Sequence, residues 1–365
     1  INKDNFTETY GQKKILKETS VINGENILTP FYNIKISSSG SIKEIYDHIN
    51  KREVFDTKLG GNLLWIYEDR PLDFDNWNID KDYIHKGTQL KAGSYQLLEN
   101  NSLFTSFEFV YSFRNSKIKQ IVLFYSFSPR IDFKTYVDWH EHQTLLRTEF
   151  NTNINSSYAR FDIQYGNILR STSNNTTWEQ AEFETVGHKW ADLSDLGYGV
   201  SLLNDCKYGY KIKDKKVSLT LIKSGIYPDI NADQGQHSFV YSLLPHNGDF
   251  VDGDVEKNGW ELNDQLQLEK YQLIYKAGPL FNFTARYPVA VDAIKLSEDK
   301  KGIILRLNEY SGRLTKIAIK VNFACKSKVQ LTNLEEKFIK NISIENNVLS
   351  IDVEPYKIVT LKFEL

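Results

Sequence analysis

The chain has 365 residues, with 45 Lys plus Arg against 47 Asp plus Glu, a formal net charge of −2. Near-neutrality excludes recruitment by bulk electrostatics, so neither nucleic acid nor a membrane surface is an expected partner. The length supports a large core and two domains, and no apolar run is long enough to span a bilayer.

Residues 1 to 28 are polar and poorly patterned and read as the remnant of a preceding element. From there period-two alternation dominates, with no sustained apolar stripe of helical period, so the fold class is all-β. Phe31 to Ile36 and Ile42 to Tyr46 read as a hairpin in which Gly40 takes the left-handed turn position. Further strands are predicted at Leu103 to Phe113, Ile118 to Ser126, Ile131 to Trp139, Arg147 to Thr152, Ala159 to Tyr165, Gly199 to Leu203, Val217 to Leu221 and Ser238 to Leu243. So many strands exceed an ordinary sandwich and call for two large antiparallel sheets packed face to face. Gly278-Pro279 marks a break. Beyond it, about six short strands between Gly302 and Phe363 carry the signature of a small sandwich. The expected division is therefore 29–277 for the large domain and 278–365 for the small one.

Cys206 and Cys325 fall in different predicted domains, which argues against a structural disulfide and fits a reducing, cytoplasmic setting. Ile1-Asn2-Lys3-Asp4 does not open a signal peptide. Methionine is absent and residue 1 is Ile, which implies that residue 1 is not the native start. A low-methionine composition and methionines omitted as selenomethionine both fit.

Three places could carry chemistry. Tyr67 to Asp80 gathers Glu68, Asp69, Asp73, Asp75 and Asp80 around Trp77. A solvated acidic loop is the plain reading, but an aromatic face among carboxylates also suits a sugar, whose C–H surface stacks while its hydroxyls donate. The stretch His188-Lys189-Trp190-Ala191-Asp192-Leu193-Ser194 interrupts the strands with cationic, aromatic and acidic groups that turn geometry does not require. The alternative there is a structural corner with Trp190 in the core. His140-Glu141-His142, if a strand continues through it, puts both imidazoles on one polar face; metal binding would need further ligands from His188, His237 or His246. A retaining glycosidase needs two carboxyls about 5 Å apart, and Asp73 with Asp75, or Asp229 with Asp233, are the pairs on offer.

These segments, with Gln164-Tyr165-Gly166-Asn167-Ile168, Asp233-Gln234-Gly235-Gln236-His237, Gly302 to Glu309 and Asn333-Leu334-Glu335-Glu336, resemble the C-terminal half of the family 38 glycoside hydrolases, the retaining α-mannosidases, in the bacterial and cytosolic branch. The resemblance runs from about Thr29 to Leu365. It implies a galactose-mutarotase-like β-supersandwich followed by a small terminal β-sandwich. It also implies a nucleophilic Asp and a zinc ion in an N-terminal α/β domain that this chain does not contain, so that no catalytic residue and no cofactor is expected here and the fragment alone is inactive. By the same resemblance, Asp75, Trp77, His188, Trp190, Lys223 and Asp229 would converge on the cleft for an α-mannoside or mannose-containing oligosaccharide. Lys223 stands where that branch often has Arg, and gives a point charge without the guanidinium fork. The chain would pack on its own catalytic domain, and a homo-oligomer is compatible with this. The rival is a stand-alone carbohydrate-binding or mutarotase-like sandwich.

Overall fold

The computed structural model describes residues 20–266 and 278–365. It is nearly all β, with short helices at Thr177–Ala181 and Val255–Asn263 among the described residues. Tertiary contacts group residues up to Phe161 with Leu169–Gln265 in one unit, and Asp162–Ile168 with residues from Leu266 onward in a second. The junction expected near Lys276 to Leu280 lies partly outside the described residues.

Three antiparallel sheets build the first unit. The five-stranded one runs Val21–Asn23, Asn26–Leu28, Tyr32–Ile36, Ile42–Asp47, Arg52–Glu53. Its first hairpin lies within the stretch assigned to a preceding element, a correction: Ile27 is fully buried and pairs with Ile34, so strand pairing starts before Thr29. Gly40, at φ 89°, makes the turn expected of it. The nine-stranded sheet places Gly235–Asn247 between Ile131–Trp139 and Tyr198–Asn204. The alternation read in Ile131–Trp139 holds, with Ile131, Phe133, Val137 and Trp139 buried and Tyr136 and Asp138 exposed. Trp190–Ser194 is no interruption but a strand of this sheet, paired with Tyr198–Asn204.

The six-stranded sheet positions the site. Its order is Thr185–Val186, Gly209–Lys213, Lys216–Ser224, Thr144–Asn151, Leu63–Glu68, Gly87–Gln89. Leu64, Ile66, Leu146, Phe150, Val217, Leu219, Leu221 and Ile222 join the main core, while Tyr67 and Leu145 pack on the opposite face with Tyr83, Ile79 and Phe183. Every residue of Thr144–Asn151 is buried, because the sheet is covered on both faces. Pairing between this strand and Lys216–Ser224 is regular except for a bulge: Leu146 opposes Ile222 and Arg147 opposes Thr220, leaving Leu221 extra.

The second unit pairs a three-stranded sheet, Phe281–Ala285, Thr315–Val321, Val348–Val353, with a five-stranded one in the order Ala290–Leu296, Gly302–Asn308, Ile358–Glu364, Lys328–Thr332, Phe338–Ser343. Its own core includes Leu305, Ile319, Leu349, Leu361 and Phe363.

Candidate substrate-binding site

The acidic loop leaves the six-stranded sheet at Glu68 and is fastened at three points. Asp69, 1% exposed, forms an ion pair with Lys223, Nζ to Oδ2 2.9 Å, and its Oδ1 accepts the Asp80 N–H at 2.7 Å, closing the loop on itself. Burial raises the Asp69 carboxyl above its ordinary range, against the opposing pull of the Asp80 amide and Lys223. Lys223 also donates to the Asp75 carbonyl. The Asp75 carboxylate is buried and accepts the Ile226 and Tyr227 amides at 2.9 and 2.7 Å. Asn76 donates its amide N–H to the Tyr227 carbonyl and its side-chain Nδ2 to that of Asp229, both at 3.1 Å. The two backbones run so close that a Cβ on Gly225 would stand 2.9 Å from the Asn76 nitrogen and the Asp75 carbonyl carbon, which is why glycine sits there.

What this lock presents is Trp77, 68% exposed. Its ring lies 6.2 Å from that of Phe74, itself 6.4 Å from Tyr227, and Phe74 holds a left-handed backbone at φ 52°. Beside Trp77 opens a cavity of about 1010 Å³, walled by residues 70–73 and 77–82 on the loop and by residues 183–186 and 208–209 on the sheet's edge strands. The second wall is anchored by Glu184, which takes hydrogen bonds from Arg147 and Thr220; Arg147 is fully buried and its guanidinium carbon sits 5.7 Å from the Tyr83 ring centroid.

Four of the six expected cleft residues therefore meet at this loop, with different duties. Trp77 faces the cavity. Asp75 and Lys223 are spent on fixing the loop, and Asp229 is exposed with its carbonyl bound by Asn76. His188 is half-buried and touches the far wall through its neighbour, 5.6 Å ring to ring with Tyr208. Trp190 is a correction. It has 0% exposure, donates Nε1–H to Glu256 at 2.6 Å and stacks on Phe250 at 5.4 Å. A ring without accessible surface cannot stack on a sugar.

The geometry also bears on the paired-carboxylate and metal alternatives. With both oxygens on backbone amides, Asp75 is not free to act as a nucleophile beside Asp73. The strand leading to His140 and His142 ends at Trp139, so the two imidazoles share no strand face. His140 contacts Asp138 at 3.0 Å, and Glu141 between them is buried, accepting from Asn115 and Ser116. Among the described residues no group of three or more His, Cys, Asp or Glu side chains is placed to hold a metal ion.

Asp69, Asn76, Gly225, Tyr208 and Glu184 were not singled out in the sequence as site residues. Asp69 and Asn76 lie inside the Tyr67 to Asp80 segment singled out for its composition; nothing local marks Glu184, whose partners are 36 and 37 residues away.

The profile of the glycosyl hydrolases family 38 C-terminal domain matches residues 27–231, and that of the family 38 C-terminal beta sandwich domain matches residues 288–361. The chain belongs to glycoside hydrolase family 38. Alpha-mannosidase G of Dictyostelium discoideum is 34% identical over 349 residues, covering 91% of this chain and 32% of that protein. Human alpha-mannosidase 2C1 is 30% identical over 337 residues, covering 90% and 32%. The chain thus spans about a third of the length of these relatives. An alpha-mannosidase crystal structure from Enterococcus faecalis V583 shares the fold, with a TM-score of 0.77 at 16% identity over 96% of this chain and 43% of that one.

Proposed function

We propose that this chain forms the substrate-binding, non-catalytic part of a cytoplasmic enzyme that hydrolyses α-linked mannosides with retention. The observation that carries the reading is Trp77: a two-thirds-exposed indole held over a large cleft by a loop whose buried groups, Asp69, Asp75 and Lys223, are all committed to keeping it there. A pre-formed platform saves the entropy of ordering it at binding. Asp73, Asp80 and Asp82 on one wall and Glu184 on the other offer acceptors for sugar hydroxyls. Zinc and the nucleophilic Asp belong, in this reading, to a catalytic domain on which the chain packs. In this reading the chain's share is to bind and orient.

The test is Trp77→Ala in the intact enzyme. The expected result is a rise in KM for an α-mannoside by roughly tenfold, the loss of one stacking contact of about 1 kcal/mol or more, with unfolding stability unchanged. Unaltered kinetics on aryl and oligosaccharide mannosides would remove Trp77 from the cleft. The 365-residue chain alone should show no zinc-dependent turnover of an aryl α-mannoside; measurable turnover would overturn the non-catalytic assignment.

A further inference from the structure

The outer face of the six-stranded sheet carries a second cavity, of about 820 Å³, which shares no lining residue with the Trp77 cleft. The chain passes from one to the other between Asp82 and Tyr83. Trp65 lines the second cavity and stacks on Tyr67, ring centroids 5.9 Å apart and planes 20° from parallel. Four lysines line it against three carboxylates, and the excess is not spread evenly. Glu149 is saturated, accepting from the Tyr67 hydroxyl at 2.8 Å and from Lys216 at 2.9 Å. Lys213 donates to the carbonyls of Ser173 and Glu179. Lys211 is different: its Nζ reaches the Tyr83 hydroxyl at 3.3 Å, and among the described residues no ion pair neutralises it. Arg147, fully buried nearby, has its own carboxylate in Glu184. Burial, with Arg147 next in effect, pushes the Lys211 ammonium down to a pKa of about 8, so the charged form sits there at a cost that an anion would offset.

We propose that this cavity is a second ligand site, for a monosaccharide bearing an anionic group, its ring against Trp65 and its anion on Lys211. Each half of the argument restricts the ligand. An ammonium in a partly dry concavity, with Glu149 and Glu184 acting on it from a distance but no direct ion pair among the described residues, favours an anion. A stacked aromatic pair elsewhere on the same cavity lining selects a ligand with an apolar face. Asn155 and Ser156 on the rim supply donors and acceptors for hydroxyls. The volume lies within the range of small-ligand pockets. A sugar phosphate and a uronic acid present the same chemistry to Lys211.

Calorimetric titration of the protein with glucose 6-phosphate, glucuronate, glucose and inorganic phosphate separates these sources. The expected result is saturable binding of at least one of the two anionic sugars, tenfold or more tighter than glucose or inorganic phosphate. Lys211→Met should weaken it tenfold or more, Lys211→Arg should retain most of it, and Trp65→Leu should weaken it without abolishing weak phosphate affinity. Whichever anionic sugar binds identifies the source. If neither saturates, if inorganic phosphate binds as tightly as both, or if Lys211→Met leaves the affinity unchanged, the proposal is overturned. Should Lys211→Met misfold by circular dichroism, protection of Lys211 from acylation in the wild-type protein, read by mass spectrometry with and without ligand, decides the question; no protection counts against the site.

Discussion

Lys223 Nζ stands 2.9 Å from Asp69 Oδ2 and donates to the carbonyl of Asp75, so one ammonium ties the root of the acidic loop to its middle. The pair is enclosed, with side-chain exposures of 14% for Lys223 and 1% for Asp69. Removing one partner of such a pair strands the other. Lys223→Met is expected to cost about 3 kcal/mol in urea-induced unfolding. It should also loosen the loop enough for trypsin to cut after Lys81, on the loop's cavity wall. Lys223→Arg should restore the ion pair but crowd the Asp75 carbonyl, giving a smaller loss. A variant that unfolds like wild type and resists nicking would show that the loop is held by other means.

The two tryptophans of the sequence reading should behave in opposite ways. Trp190→Ala empties a fully buried site and leaves Glu256 short of a donor, for an expected loss of about 3–5 kcal/mol. Trp77→Ala should change stability by no more than about 0.5 kcal/mol and act on ligand affinity alone. Chemical denaturation of both variants beside wild type checks the pair.

His246 is buried and holds Asp192 at 2.8 Å. Burial works to lower its pKa, but Asp192, with the Asn247 carbonyl and Asp249, raises it on balance. A raised folded-state pKa means that protonation stabilises the fold. The contribution is complete below the unfolded value of about 6.5 and is lost as pH climbs through the folded value. Unfolding free energy measured from pH 6 to 9 should fall for wild type by more than for His246→Asn. Parallel profiles would mean that the imidazole stays neutral.

Lys211 gives the reverse dependence. Its folded pKa of about 8 lies below the ordinary lysine value, so between about pH 8 and about 10.4 the unfolded chain binds more protons and stability rises with pH. Lys211→Met escapes the cost of the buried charge and should be more stable than wild type at pH 7 by roughly 1–2 kcal/mol. That advantage should shrink as pH approaches 10. Thermal melts of both proteins across this range test the sign; a constant difference would contradict it.

Much of the fold was legible because burial on one face writes alternation into sequence. Ile131–Trp139 shows this, as does Val348–Val353, which falls within the run of short strands expected between Gly302 and Phe363. Leu63–Glu68 went unread for the converse reason. Its inward Leu64 and Ile66 and its outward Trp65 and Tyr67 are all apolar, so a strand covered on both sides shows no period. In the candidate site, composition pointed to the right loop but could not say which carboxylates would be buried. That depends on Lys223, more than 140 residues further on, and on the amides of Ile226 and Tyr227. Trp190 was misplaced on the same account: Glu256, which satisfies its indole, sits 66 residues away on a short helix that shows no long apolar stripe.

The extra residue at Leu221 reaches further than a local kink. Ser218 and Thr220 share parity, and in an unbroken strand Ile222 would join them while Lys223 turned into the core. Because Leu221 is counted once on its own strand and not at all on the neighbour, the phase resets, and Leu221 and Ile222 both go inward as Lys223 swings to the side of Asp69. Paired in regular register against Leu146, Leu221 would turn Ile222 outward and set the Lys223 ammonium at the core surface, whereas the bulge leaves Ile222 opposite Leu146 and Lys223 opposite Leu145. One uncounted residue in the ladder thus sets the address of the charge on which the Trp77 loop depends.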